Sequence, residues 1–151
     1  NAEEYYYFQE EFYKAIHDYL KGNYQVFYAT LDDQIIAVSI ILYANKQMHY
    51  HLSGSLSEYR SFAPTNLLLY EVALWGHQEG YKTFHLGGGL GSGNDNLYKF
   101  KAAFNRKSGL QFSIGKQIFN QALYNQLVEE RLAEDPNFDL EGKYFPLYRA
   151  K

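Results

Sequence analysis

The stretch Thr83-Phe84-His85-Leu86-Gly87-Gly88-Gly89-Leu90-Gly91-Ser92-Gly93-Asn94-Asp95, continued by Leu97-Tyr98-Lys99-Phe100-Lys101-Ala102-Ala103-Phe104, decides the fold. A short β-prone segment enters a loop with five glycines in seven positions, and a helix leaves it. Glycine there permits positive φ and close approach of another group to the backbone. Asn94 or Asp95 can accept from the first free helical amides, which gives the helix a start. Two familiar glycine motifs are excluded. A phosphate loop of the Walker type needs Lys-Ser or Lys-Thr after its last glycine, whereas Asn94-Asp95 follows Gly93. The dinucleotide fingerprint needs glycines spaced by two and then three residues, and no start in this loop satisfies both.

Outward from the loop, the periodicities change along the chain. Tyr5, Phe8, Phe12, Ile16 and Tyr19 recur every three or four residues, predicting an amphipathic helix over 3–20 closed by Gly22. Residues 24–31, 35–43 and 47–53 are β-prone runs joined at Asp32-Asp33 and Asn45-Lys46, which predicts an antiparallel meander. The middle run is apolar on both faces and belongs at the sheet centre. Pro64 starts a second, mostly apolar helix with Thr65 or Asn66 as its cap, running over 67–79 and ended by Gly80. A strand over 81–86 precedes the glycine loop, and a helix over 95–105 follows it. Leu110, Phe112 and Ile114 alternate as in a strand, and 120–133 reads as a helix using Leu123, Leu127 and Val128. The tail Phe145-Pro146-Leu147-Tyr148-Arg149 is expected to pack.

A buried helix between the third and fourth strands implies that these two are parallel neighbours. The whole order resembles the α/β GNAT acyltransferase fold: a mixed central sheet with an antiparallel meander and helices on both faces. In that fold two parallel strands splay apart, and the acyl donor lies in the gap.

The chain's 151 residues, 46% hydrophobic, suit one domain over 1–151 that buries roughly 70% of its unfolded surface. With 16 Tyr and 11 Phe against one Trp, the core is built from rings with polar tips, suited to a wet cleft. The lack of cysteine removes disulfides and thiolate chemistry. No apolar run reaches the length of a membrane span, and the expected location is cytoplasmic, or peripheral at the inner membrane face. Asn1-Ala2 has the look of a tag scar, and the chain is expected to be the C-terminal half of a larger two-domain protein. The net charge is −3, yet no acid occurs between Asp95 and Glu129 while Lys99, Lys101, Arg106, Lys107 and Lys116 do. Such a basic zone attracts phosphate-bearing partners, the plain alternative being a solvated face.

His49 and His51 share a strand face but have no third ligand at a metal-site spacing. His85, at a strand end beside the loop, is a candidate proton carrier. Ser53, Ser55 and Ser57 lack a nucleophile-elbow context, and Glu71 sits mid-helix. A CoA-binding GNAT loop would fall on Arg60-Ser61-Phe62-Ala63-Pro64-Thr65. Arg60 is in place, but both glycine positions are altered and Pro64 offers no N–H to a diphosphate.

His51-Leu52-Ser53-Gly54-Ser55, Ala63-Pro64-Thr65-Asn66-Leu67-Leu68-Leu69, His85-Leu86-Gly87-Gly88-Gly89, Lys99-Phe100-Lys101-Ala102-Ala103-Phe104-Asn105 and the Phe145–Arg149 tail together resemble the C-terminal GNAT-like domain of the FemAB family. These are aminoacyl-tRNA-dependent transferases that build peptidoglycan cross-bridges. The resemblance covers residues 47–149 and implies transfer of an aminoacyl group from tRNA to an amine of a lipid-linked or UDP-linked peptidoglycan precursor. It implies no cofactor, and a partner N-terminal domain in the same protein. Carried over, the family's Phe-Lys pair falls on Phe100 and Lys101, placing a cation at the donor end of the cleft. Catalytic candidates are then Lys101, Phe100 and His85. Donor- or substrate-binding candidates are Gly87, Gly88, Gly89, Asn66, Arg60, Lys99, Arg106 and Lys107. Two other readings stay open: an autonomous N-acyltransferase using acetyl-CoA, and a non-catalytic module binding tRNA or a protein through the Lys99–Lys116 zone.

Overall fold

The computed structural model describes residues 7–90, 93–107 and 109–150. Within these the chain forms α1 (Glu10–Tyr19), β1 (Tyr24–Leu31), β2 (Gln34–Ala44), β3 (Gln47–Ser55), α2 (Pro64–Gln78), β4 (Thr83–His85), α3 (Asn96–Ala102) and α4 (Gln121–Glu134). Short 3-10 turns cover Ser57–Phe62 and Leu147–Arg149. By contacts the chain divides into two compact units, Asn1–Ser108 and Gly109–Lys151.

In the first unit the sheet order is β1-β2-β3-β4. The meander is antiparallel, and β3 pairs with β4 in parallel through Gln47–Thr83, Met48–Phe84 and His49–His85. Both hairpins turn on two residues at positive φ, Asp32 and Asp33 (48° and 63°), then Asn45 and Lys46 (51° and 64°). That pair of conformations matches the right-handed twist of the flanking strands and fixes their register. A bulge interrupts the β2–β3 ladder, where Ile41 faces Tyr50 and Ile40 faces Leu52, so His51 has no opposing residue.

Successive strand residues point to opposite faces. On one face α2 covers Ala37, Ile41 and Met48 with Leu68 and Val72, and the rings of Phe27, Tyr43, Tyr50, Trp75 and Tyr81 pack around them. Fully burying side chains such as Ile41, Leu69 and Val72 contributes about 1.5–3 kcal/mol each. Gly76 lets α2 approach this face, because a Cβ there would strike the Met48 thioether. On the other face lies α1. His17 Nδ1 meets the Tyr24 hydroxyl at 2.7 Å, and the Phe12 ring stacks 6.4 Å from His51. Helices thus flank both faces, as the element order implies.

Several local expectations are corrected. Residues 7–9 are not helical, so α1 starts at Glu10 with two glutamates in its first turn; the expected residues 3–6 lie outside the described residues. The cap of α2 is Ala63, not Thr65 or Asn66, and no side chain bonds there. Pro64 takes the first helical position, where its fixed φ belongs, which makes the residue before it the cap. Helix α3 ends at Ala102 rather than running on to residue 105.

In the second unit α4 starts on its cap Asn120, whose side chain accepts from the Leu123 amide at 3.0 Å. The tail packs onto α4. Phe145 stacks on Tyr124 at 6.1 Å, Tyr148 meets the same ring edge-on at 5.6 Å, and the Leu147 amide donates to the Tyr124 hydroxyl at 3.0 Å. The expected strand through Leu110, Phe112 and Ile114 does not form, and the three side chains are 87%, 79% and 67% exposed. Alternation supplies a strand's two faces but not the hydrogen-bonding edge that a strand also needs.

Candidate functional site

Beyond the His49–His85 rung the parallel strands part. β3 continues to Ser55, whereas the chain from β4 turns into the glycine loop. Lys101, from α3, reaches the loop: its Nζ donates to the Gly88 carbonyl at 2.8 Å and lies 5.7 Å above the centre of the Tyr50 ring. Burial pushes this ammonium below the ordinary lysine value, while nearby Asp95 pulls the other way. A cation held between a carbonyl and an aromatic face has its direction fixed before a ligand arrives.

The loop is shaped by one carboxylate. Asp95 caps α3 by accepting from the Tyr98 amide at 2.7 Å, and its second oxygen accepts from the Leu90 amide at 2.6 Å. Those two amides hold Asp95 below the usual carboxylate range. The glycines at 87, 88 and 89 therefore have different duties. Gly87 sits at φ +75°, a conformation that side chains disfavour. Gly89 passes so close to the Asp95 carboxylate that a Cβ would collide with it. Gly88 faces open space and supplies the carbonyl that Lys101 grips.

On the α1 side of the same rung, His49 Nδ1 and His85 Nδ1 are 2.9 Å apart, with the two rings 21° from parallel and 5.1 Å between centres. His51 follows, 6.2 Å from His49. Burial, then the neighbouring His85 and His51 rings, drive the His49 imidazole below its ordinary value; burial does the same to His51. Among the described residues no group of three or more His, Cys, Asp or Glu side chains could hold a metal ion. The gap is thus flanked by an ammonium and aromatic ring on one side and an imidazole pair on the other. Such a setting can polarise a carbonyl and move a proton.

The remaining candidates are more scattered. Phe100, next to Lys101 on α3, is half-buried and packs edge-on against Phe104 at 5.5 Å. Lys99, Arg106 and Lys107 are exposed around α3 and its C-terminal end. Arg60, in the 3-10 turn over Ser57–Phe62, and Asn66, in the first turn of α2, are exposed and share no hydrogen bond or ion pair with Lys101 or His85 among the described residues. The first turn of α2 is ill-equipped for a diphosphate. Pro64 has no N–H, Ala63 is left-handed at φ 48°, and the Asn66 and Leu67 amides already donate to the Ala63 carbonyl at 3.0 and 3.4 Å. Sequence reading missed Tyr50 as the platform for Lys101 and His49 as the partner of His85. The β3 alternation places His49 and Tyr50 on opposite faces, but only the parallel register sets His49 beside His85.

The chain belongs to the acetyltransferase (GNAT) domain family, whose family model matches residues 3–101, well over half of the chain. Among solved structures it is similar in fold to an aminoglycoside acetyltransferase from an uncultured soil metagenomic sample. The complex of that protein with sisomicin matches with a TM-score of 0.56 at 11% identity, covering 76% of each chain. Its complex with trehalose matches with a TM-score of 0.51 at 12% identity, covering 79% of this chain and 78% of that one. At such identities the likeness is one of fold. None of the curated proteins matches the chain. Fold and family together make this an acyltransferase domain, and among the described residues no helix is long and apolar enough to cross a membrane.

Proposed function

We propose that this acyltransferase domain takes its acyl group from aminoacyl-tRNA and delivers it to an amine of a peptidoglycan precursor. The observation that carries the reading is the start of α2. Where a CoA-dependent relative would wrap a diphosphate in free amides, this chain has a proline, a left-handed alanine and two amides already bonded to Ala63. A donor other than acyl-CoA fits that surface better. The exposed cations Lys99, Arg106 and Lys107, in a stretch without acids, suit the phosphates of a tRNA end. The FemAB-like segments around Ala63–Leu69, His85–Gly89 and Lys99–Asn105 support the same donor and acceptor.

In this reading Lys101 faces the carbonyl oxygen of the aminoacyl ester as that oxygen becomes negative, a charge best met by a preorganised donor. Calorimetry with acetyl-CoA and filter binding with aminoacyl-tRNA test the proposal together. Acetyl-CoA is expected to bind with a dissociation constant above about 1 mM, roughly −4 kcal/mol. Aminoacyl-tRNA should bind far more tightly, with an affinity that falls as salt rises. Micromolar acetyl-CoA binding would overturn the tRNA reading in favour of a CoA-dependent N-acetyltransferase. Salt-sensitive tRNA binding without any transfer would leave a binding module.

A further inference from the structure

Two neutral imidazoles whose Nδ1 atoms lie 2.9 Å apart share one proton: one ring donates from Nδ1 and the other offers its lone pair. The arrangement is therefore one of two tautomer pairs. If His49 donates, neutral His85 carries its own proton on Nε2 and has no free nitrogen. If His85 donates, its Nε2 is bare and His49 is protonated on Nε2. Exposure separates the two rings, since His85 is exposed and His49 half-buried. A ring that must become charged during a reaction is better placed in solvent than in the half-buried position, where charge costs more. The pair also closes the last rung before the strands part, so His85 stands at the edge of the gap. The other titratable groups facing His49 are His51 on β3 and Lys101 on α3, while from α1 the Phe12 ring reaches His51. A positive charge on His49 is thus opposed from several sides.

Building on the acyl-transfer reading, we propose that His85 is the catalytic base for the acceptor amine and that His49 is a positioning residue, holding the His85 Nδ1–H so that Nε2 stays bare. The amine nitrogen attacks the ester carbonyl carbon, an N–C bond forms, and the π pair moves onto the oxygen. The proton leaving the amine passes to His85 Nε2. When the carbonyl re-forms, the C–O bond to the ribose breaks, and the released alkoxide takes that proton from His85, directly or through a water. No proton is gained or lost overall. The logic is that of a base oriented by a third group, with an imidazole in the place more often held by a carboxylate.

The test uses the full-length protein and two independent readouts. Nitrogen-15 spectra of the histidines at neutral pH should show His85 protonated on Nδ1 in the wild type and on Nε2 in His49→Leu, which removes the acceptor. In His49→Asn the side-chain amide oxygen can take the place of Nδ1, and the Nδ1–H form should return. In transfer assays His85→Gln should lower kcat by about 10²–10⁴-fold. His49→Leu should lower kcat by roughly ten-fold or more within that range, with KM little changed, and His49→Asn should restore most of it. A merely structural role would favour Leu over Asn in this half-buried position. Finding His85 protonated on Nε2 in the wild type, or Asn no better than Leu, overturns the proposal. If the wild type transfers while His85→Gln and His49→Leu match it, the proton couple fails and acyl transfer stands. If the wild type transfers nothing from either donor, both fail.

Discussion

Substituting alanine in turn for Gly87, Gly88 and Gly89 tests whether the loop is built by its backbone geometry or merely tolerates glycine. Each change adds one methyl group, so the differences come from the site. At Gly87 the native φ of +75° is retained only at a cost of about 1–2 kcal/mol for an L-residue. The new Cβ would also lie 3.4 Å from Lys101 Nζ, at the edge of ordinary contact. At Gly88 nothing lies within 4 Å of the new atom and no left-handed conformation is required. Alanine there removes freedom from the unfolded chain, which stabilises by about 0.4–1 kcal/mol when the native backbone is compatible. The same gain applies at Gly87, so the two variants should differ by about the strain itself, 1–2 kcal/mol. At Gly89 the collision is with the Asp95 carboxylate, which cannot retreat without releasing the Leu90 or Tyr98 amide. The expected order of stability is Gly88→Ala above wild type, then Gly87→Ala and Gly89→Ala below it. Urea unfolding reads this directly, provided the slopes agree. Equal stability of the Gly87 and Gly88 variants would refute the reasoning, because the strain argument then has nothing to act on.

Lys101→Met keeps an apolar stem over Tyr50 and deletes the charge; transfer should fall by about 10²–10³-fold, whereas Lys99→Ala should cost little beyond tRNA affinity, and an unimpaired Met variant in turnover assays would reject the cation's role. Because its amide partners depress Asp95 in the folded state, its contribution to stability is complete above the ordinary value of 3.8 and is lost as pH falls from there through the lower folded value. Acid titrations of wild type and Asp95→Asn should therefore diverge most above that window and converge below it; parallel curves would count against the clasp. Leu69→Ala, at a position 1% exposed, should destabilise by about 2–5 kcal/mol, while the adjacent Tyr70→Ala, 56% exposed, should stay within about 0.5 kcal/mol on the same denaturant curves.

Local chemistry made much of the fold legible. The two hairpin turns follow from Asp32-Asp33 and Asn45-Lys46, short links between β-prone runs. The parallel neighbours β3 and β4 follow from the apolar helix between them, since a chain that must cross the sheet to return in the same direction needs such a connection. Asp95 is marked by standing just before a helical run, whereas Lys101 is singled out only by the resemblance to the FemAB family, whose Phe-Lys pair falls on Phe100-Lys101. Tertiary structure decided what these residues meet. Helical spacing could not show that Lys101 would end over Tyr50 and on the Gly88 carbonyl, because those partners lie 51 and 13 residues away and are brought there by sheet register and a loop bend. Nor could alternation turn Leu110, Phe112 and Ile114 into a strand, because the missing ingredient is an edge supplied by another segment. His49 and His85, 36 residues apart, became partners for the same reason. Sequence sets the preferences of each segment, but a ladder joins segments, and its register is fixed only when both sides are packed at once.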